Sequence, residues 1–376
     1  MRYYLIAGEA SGDLHGSMLI RGIRQQDPNA EFRFWGGDLM AEEAGIPVRH
    51  YRELAFMGFI EVLLNIFKVL GNIRFCKKDV AQWNPDVVIL IDYPGFNFRI
   101  AEFAHNKGFK VFYYIAPKVW AWKEGRVKRI QRNVDKLFVI FPFEIDYFKR
   151  FQIDAYYTGN PLIDSVAKKI DALPTLEEFK AEHGLDERPI LTLLSGSRRQ
   201  EIAKCLPTMA KLAERFPDFQ VVVAGAPSLT ISDYNETVGA LPVKIIFGKT
   251  YELLAFAKAA AVVSGTATLE AALIGTPQVV CYQASPISYY IAKRFIKVRY
   301  ISLVNLIMDK PVVKELIQHD FTIDKIAQEL NELLYDSPAR SAMLHEYQLL
   351  RTMLGEPGVA YRVGEQMVTE LKQLKA

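Results

Sequence analysis

Four junctions between a strand pattern and a helix pattern carry residues that could do chemistry. In VVSGTATLEAALIGTP (262–277) an apolar run meets a turn of small residues and a helix start, with one carboxylate, Glu270, about a turn in. A helix N-terminus with bare amides attracts anions, so Ser264, Gly265, Thr266, Ala267 and Thr268 can hold a diphosphate. The acid behind them can then accept from the diol of an attached ribose. Capping does not account for Glu270: Thr266 to Glu270 is a spacing of four where a capping box needs three, and three beyond Ser264 stands Ala267.

ILTLLSGSRRQEI (190–202) has the same build. Ser195, Gly196 and Ser197 let the backbone approach a ligand, and the Arg198 guanidinium can fork onto a phosphate; two adjacent arginines on a surface helix are the plainer alternative. ILIDYPGFN (89–97) places Asp92 after five apolar residues, at the top of a buried strand, where an acid needs either a partner or a job. Pro94 and Gly95 force a turn and Asn97 is placed to cap the next helix, so Asp92 is either a turn residue or a general base. GEASGDLHG (8–16) offers Glu9, Ser11, Gly12 and Asp13. Its glycines do not follow G-x-G-x-x-G, so it reads as a tight turn or a ligand loop, but not as a dinucleotide fingerprint. No D-x-D pair and no H-x-x-H or H-E-x-x-H pair occurs, so a divalent metal has no evident ligands and no metal site is expected.

The elements that must position these loops follow from the patterning. Short β-branched runs such as YYLIAG, DVVILI, KVFYYI, FQVVVAG and PQVVCY alternate with amphipathic segments, which predicts βαβ units and parallel sheets covered on both faces. Ligands of such sheets bind beyond the carboxyl ends of the strands. At 376 residues two domains are expected: 1–165, then 166–336 beyond a strandless, proline-containing segment (159–179), and C-terminal helices in 337–376 that pack back on the first domain or on a partner chain. The three cysteines are scattered and read as reduced thiols, the N-terminus lacks the pattern of a secretory signal, and no stretch approaches a spanning helix.

The net charge of +3 lies wholly in the first half: residues 1–165 hold 22 Lys/Arg against 19 Asp/Glu, while the remainder balances. KVWAWKEGRVKRIQRNVDK (118–136) is either a solvated basic face or one drawn to an anionic surface; nucleic acid is disfavoured because no binding signature accompanies it. FMGFIEVLLNIFKVLGN (56–72) leaves only a narrow polar stripe and is followed by Arg74, Lys77 and Lys78. It is either core or a lipid-facing surface, in which Phe56, Met57, Phe59, Ile60, Leu63 and Phe67 would meet acyl chains, helped by Trp120 and Trp122.

GEASGDLHG, MGFIEVL, DYPGFN, APKVWAW, FPFE, GNPL, LLSGSRRQEI, SGTATLEAAL and SLVNLI, in this order over nearly the whole chain, resemble the lipid-A-disaccharide synthase family. The resemblance implies a GT-B-like α/β fold, two doubly wound Rossmann-type domains facing a cleft, with no cofactor. It implies a cytoplasmic enzyme on the inner face of the membrane, a monomer or homodimer, that transfers the sugar of UDP-2,3-diacylglucosamine to 2,3-diacylglucosamine 1-phosphate with inversion, giving a β(1→6) disaccharide. By the family pattern Asp92 is the base for the acceptor hydroxyl, and Arg198, Glu270 and Asn305 lie toward the donor. The family often has proline where this chain has Val304, and an acid where it has Gly95. An epimerase acting on UDP-N-acetylglucosamine, or a non-catalytic UDP-sugar sensor, would use the same nucleotide loops.

Overall fold

The computed structural model describes residues 1–53, 66–122, 124–227, 229–285 and 298–376. Its strands form two wholly parallel sheets. The first joins β1 (Arg2–Ala7), β2 (Glu31–Gly36), β3 (Arg49–His50), β4 (Val87–Ile91), β5 (Lys110–Tyr114), β6 (Lys136–Val139) and β7 (Ala155–Tyr157) in the order β3-β2-β1-β4-β5-β6-β7. The second joins β8 (Ile190–Leu194), β9 (Gln220–Gly225), β10 (Val243–Phe247), β11 (Ala257–Val263), β12 (Gln278–Tyr282) and β13 (Lys314–Ile317) in the order β10-β9-β8-β11-β12-β13. Both are doubly wound, and winding reverses between β1 and β4 and between β8 and β11. A crevice opens at such a reversal because the flanking loops leave on opposite faces.

The apolar runs are continuous because both faces of each central strand are covered. Tyr3, Leu5, Ala7, Val87, Ile89 and Ile91 point into one core layer, while Tyr4, Ile6, Val88 and Leu90 point into the other. Alternation at period two thus survives, but with no polar side to reveal it.

By its contacts the chain divides into two compact units, Met1–Pro161 with Gly355–Ala376, and Leu162–Leu354. The two C-terminal helices part company at this boundary, whereas the sequence expectation kept them as one segment, 337–376. Pro338–Leu354 packs on the second sheet's unit, where Gln278 Nε2 donates to the Tyr347 hydroxyl (3.1 Å) and Arg351 to the Leu273 carbonyl (2.5 Å). Val359–Lys375 completes the first unit, burying Val363, Met367, Val368 and Leu371 against Leu19, Ile20 and Ile23. It crosses the helix Ala10–Gln26 at a pair of glycines: a Cβ on Gly22 would stand 2.1 Å from the Ala360 carbonyl oxygen, and one on Gly364 2.3 Å from Gly22 itself.

Candidate functional site

In the first unit, β4 ends and the chain turns at once. Asp92 and Tyr93 both adopt positive φ, 42° and 47°, a conformation that costs a residue with a Cβ roughly 1–2 kcal/mol. Side chains and a neighbouring strand hold them there. The Asp92 amide donates to the Tyr114 carbonyl of β5 (3.1 Å), and the Asp92 carbonyl accepts from the Tyr113 hydroxyl (2.6 Å) and Asn97 Nδ2 (2.8 Å). Asn97 also donates to the Ile91 carbonyl (3.2 Å), so it anchors the turn instead of capping the helix Pro94–Asn106, which has no side-chain cap. Gly8, just past β1, has to lack a side chain because a Cβ there would stand 2.3 Å from the Tyr93 ring.

The Asp92 carboxyl is pushed up to about 6, by burial first and then by the charge of Glu9, with Lys118 and the Tyr93 amide acting in the opposite direction. A half-buried acid titrating near neutrality at a switch point suits general-base work. The rest of the GEASGDLHG loop divides by role. Glu9 and Ser11 are exposed, and Gly12 packs its backbone on Ala7. Asp13 is buried, its carboxylate accepting from the amides of Gly37 (2.6 Å), Leu39 (3.1 Å) and Met40 (3.1 Å), and so it serves the start of the helix Asp38–Ala44. Trp120 is half-buried and donates to Glu144 (3.0 Å), whose carboxylate also accepts from the amides of Ile140 and Phe141. Burial pushes Glu144 up to about 7. Phe67 is 86% exposed on the helix Ile66–Trp83. Phe56, Met57, Phe59, Ile60 and Leu63 lie outside the described residues, as does the Trp122 side chain.

In the second unit a cavity of about 390 Å³ opens at the β8/β11 reversal. Gly196, Ser197, Arg198 and Glu201 line it from behind β8, and Ser264, Gly265, Thr266, Ala267 and Glu270 from behind β11. The helix Thr266–Ile274 carries no side-chain cap, which leaves its first amides to a ligand. Two hydroxyls of the loops turn inward: Thr268 donates to the Gly265 carbonyl (2.9 Å), and Ser195 is fully buried with no partner for its hydroxyl among the described residues. Glu270 accepts from the Tyr251 hydroxyl (2.8 Å), and burial raises its carboxyl above the ordinary range. Ser264 donates to the Ile301 carbonyl (2.8 Å), tying the loop to the segment that bears Asn305.

Asn305 is buried and its amide is fully engaged: Nδ2 donates to the Val313 carbonyl (2.8 Å) and to Glu315 (2.9 Å), and Oδ1 accepts from the Val313 amide (2.9 Å). The structure thus places Asn305 as a brace of its loop. Glu201 was not anticipated. Its carboxylate accepts from the amides of Ser197 (3.0 Å) and Arg198 (3.3 Å), the pair expected to meet a phosphate. Tyr251 and the Gly225, Ala226 and Pro227 turn after β9 were also missed, although the rule that ligands sit beyond strand ends points to the latter.

Two doubly wound parallel sheets, each with its candidate loops at a winding reversal, define a GT-B-like fold. Among solved structures, the chain superposes on a UDP-GlcNAc 2-epimerase from Neisseria meningitidis bound to UDP-GlcNAc with a TM-score of 0.68, covering 99% of this chain and 100% of that one at 12% identity, a likeness of fold alone. A profile described as lipid-A-disaccharide synthetase matches residues 3–367. Proteins named lipid-A-disaccharide synthase are 38% identical to it in Geobacter sulfurreducens (371 residues; 96% of this chain, 95% of the relative) and in Syntrophus aciditrophicus (379 residues; 98% and 97%). The chain belongs to the lipid-A-disaccharide synthase family.

Proposed function

We propose that the protein makes the β(1→6) lipid A disaccharide by transferring 2,3-diacylglucosamine from UDP to the 6-hydroxyl of 2,3-diacylglucosamine 1-phosphate, releasing UDP. Asp92 takes the hydroxyl proton as the oxygen attacks the anomeric carbon, and the C–O bond to UDP breaks in the same displacement, which inverts the centre. Charge building on the diphosphate is met by Arg198 and by the amides of the Ser197 and Thr266 turns, and Glu270 accepts from the ribose. The observation that carries this reading is the Asp92 carboxyl, which is half-buried, borne on a left-handed turn and pushed up to about 6.

Among the described residues no helix is long and apolar enough to cross a membrane. We place the enzyme on the inner membrane face through the 56–72 stretch, of which Phe67 stands open to solvent. Incubation with both acylated substrates should yield UDP and a disaccharide 1-phosphate by mass spectrometry. Incubation with UDP-N-acetylglucosamine alone should yield no epimer, and an epimer formed there in place of the disaccharide would transfer the assignment to the isomerase reading.

A further inference from the structure

Three cations, Arg126, Arg129 and Lys118, lie near the Asp92 turn. Arg126 closes the short turn Glu124–Arg126 with its guanidinium 5.8 Å from the Phe98 ring centre. That ring is 5.9 Å from the ring of Tyr113, whose hydroxyl holds the Asp92 carbonyl at 2.6 Å. Arg129 lies over the same Phe98 ring at 4.9 Å, but it is committed to Glu102 (3.7 Å) and the Phe98 carbonyl. Arg126 is half-buried, and among the residues whose side chains are described, which leaves out its neighbour Glu124, no carboxylate comes within ion-pair distance of it. Burial and the charge of Arg129 push its guanidinium below the ordinary value. On the β5 side, Lys118 is exposed and its charge reaches both Asp92 and Glu144. Glu144 already accepts from three N–H groups, so it needs no lysine.

We propose that Arg126, assisted by Lys118, forms a phosphomonoester subsite beside Asp92 that anchors the 1-phosphate of the acceptor. The inference rests on the acceptor role given to Asp92 above. In a glucosamine 1-phosphate the hydroxymethyl group and the anomeric phosphate flank the ring oxygen. A 6-hydroxyl brought to Asp92 therefore carries its phosphate about one ring width away, and the proposal sets it toward Arg126 and toward Lys118, whose charge reaches Asp92. Without cations there, the negative charges of Asp92 and Glu9 would repel a phosphate dianion. A guanidinium supplies the forked donors that a terminal phosphate accepts, which a lysine cannot match in geometry.

The test compares wild type, Arg126→Gln and Arg126→Lys on 2,3-diacylglucosamine 1-phosphate and on the same acceptor without its phosphate. Arg126→Gln should raise KM for the phosphorylated acceptor roughly ten- to hundredfold and leave KM for the dephosphorylated acceptor and for the donor unchanged, with partial recovery in Arg126→Lys. An equal effect on both acceptors overturns the proposal. So does a loss of binding to phosphatidylglycerol vesicles with acceptor KM unmoved, which would make a lipid headgroup the anion. If wild type forms no disaccharide, the proposed function fails instead. Calorimetric titration of glucosamine 1-phosphate then decides the subsite: binding by wild type and not by Arg126→Gln supports it, and equal binding by both removes it.

Discussion

The Tyr113 hydroxyl donates a 2.6 Å hydrogen bond to the main-chain carbonyl of Asp92. The bond is made one strand over from the acid it positions, and it stabilises a backbone conformation that Asp92 would otherwise leave. Tyr113→Phe should therefore cost about 1 kcal/mol of stability and lower turnover by roughly an order of magnitude through a loosened carboxylate. UDP affinity should not change. Thermal melts, kcat and UDP calorimetry check the three parts, and an unaltered kcat would show that Asn97 and the Tyr114 carbonyl suffice to hold the turn.

Asp92→Asn should keep the fold while lowering turnover roughly 10²- to 10⁴-fold, the range for a lost general base. For wild type, kcat/KM should rise through an apparent pKa near 6 as the acid ionises, and this limb should vanish in the variant. The same substitution should stabilise the protein at neutral pH. Because the folded pKa lies above the ordinary 3.8, the stability owed to the protonated form is complete below that value and is lost as pH rises toward about 6. Above pH 7 Asp92→Asn should thus gain on the order of 3 kcal/mol, and near pH 4 it should gain little. Denaturant midpoints at the two pH values measure the difference.

Glu201 occupies with its own carboxylate the amides of Ser197 and Arg198. UDP must displace it there, so Glu201→Ala should tighten UDP binding several-fold even as the loss of a helix-start contact costs about 1 kcal/mol. Calorimetry showing weaker binding would mean that Glu201 shapes the loop for the diphosphate and does not compete with it.

Glu270→Gln and Arg198→Ala should each weaken UDP binding roughly tenfold, the first by removing a charged acceptor and the second by removing a phosphate partner. Titration of UDP measures both. Unchanged affinity in the pair would move the nucleotide out of the cavity at the β8/β11 reversal.

Phe67→Ser removes an aromatic side chain that is 86% exposed. It should leave the melting temperature within a degree or two and reduce cosedimentation with anionic liposomes, since little packing is lost and lipid contact is. Retention of full liposome binding would assign the membrane surface to other residues.

Much of this was legible in the sequence because it depends on local rules. Continuous β-branched runs between amphipathic segments specify parallel sheets, and an acid or a small-residue turn just past such a run must emerge at a strand end, as Asp92, Ser197 and Ser264 do. Other assignments needed distant contacts. Asp13 and Glu9 are four residues apart in one motif, yet the start of the helix Asp38–Ala44 claims the first, while the register of β1 against β4 brings the second toward Asp92. Asn305 looks available in sequence and is consumed by Val313 and Glu315.

The sequence by itself determined the two doubly wound sheets, the loops that bear chemistry and the family, because hydrophobic period and turn chemistry act over a few residues. Only the tertiary structure decided which unit each C-terminal helix joins, which pairs Arg126 with Phe98, and which gives Asp92 its raised carboxyl. Those outcomes depend on burial and on charges brought together across tens to hundreds of residues, and no local pattern encodes a desolvation cost or a neighbour's field. The Gly22 and Gly364 crossing is the clearest case: two unremarkable glycines far apart in the chain let two backbones touch, and the first unit closes its core with the last helix of the chain.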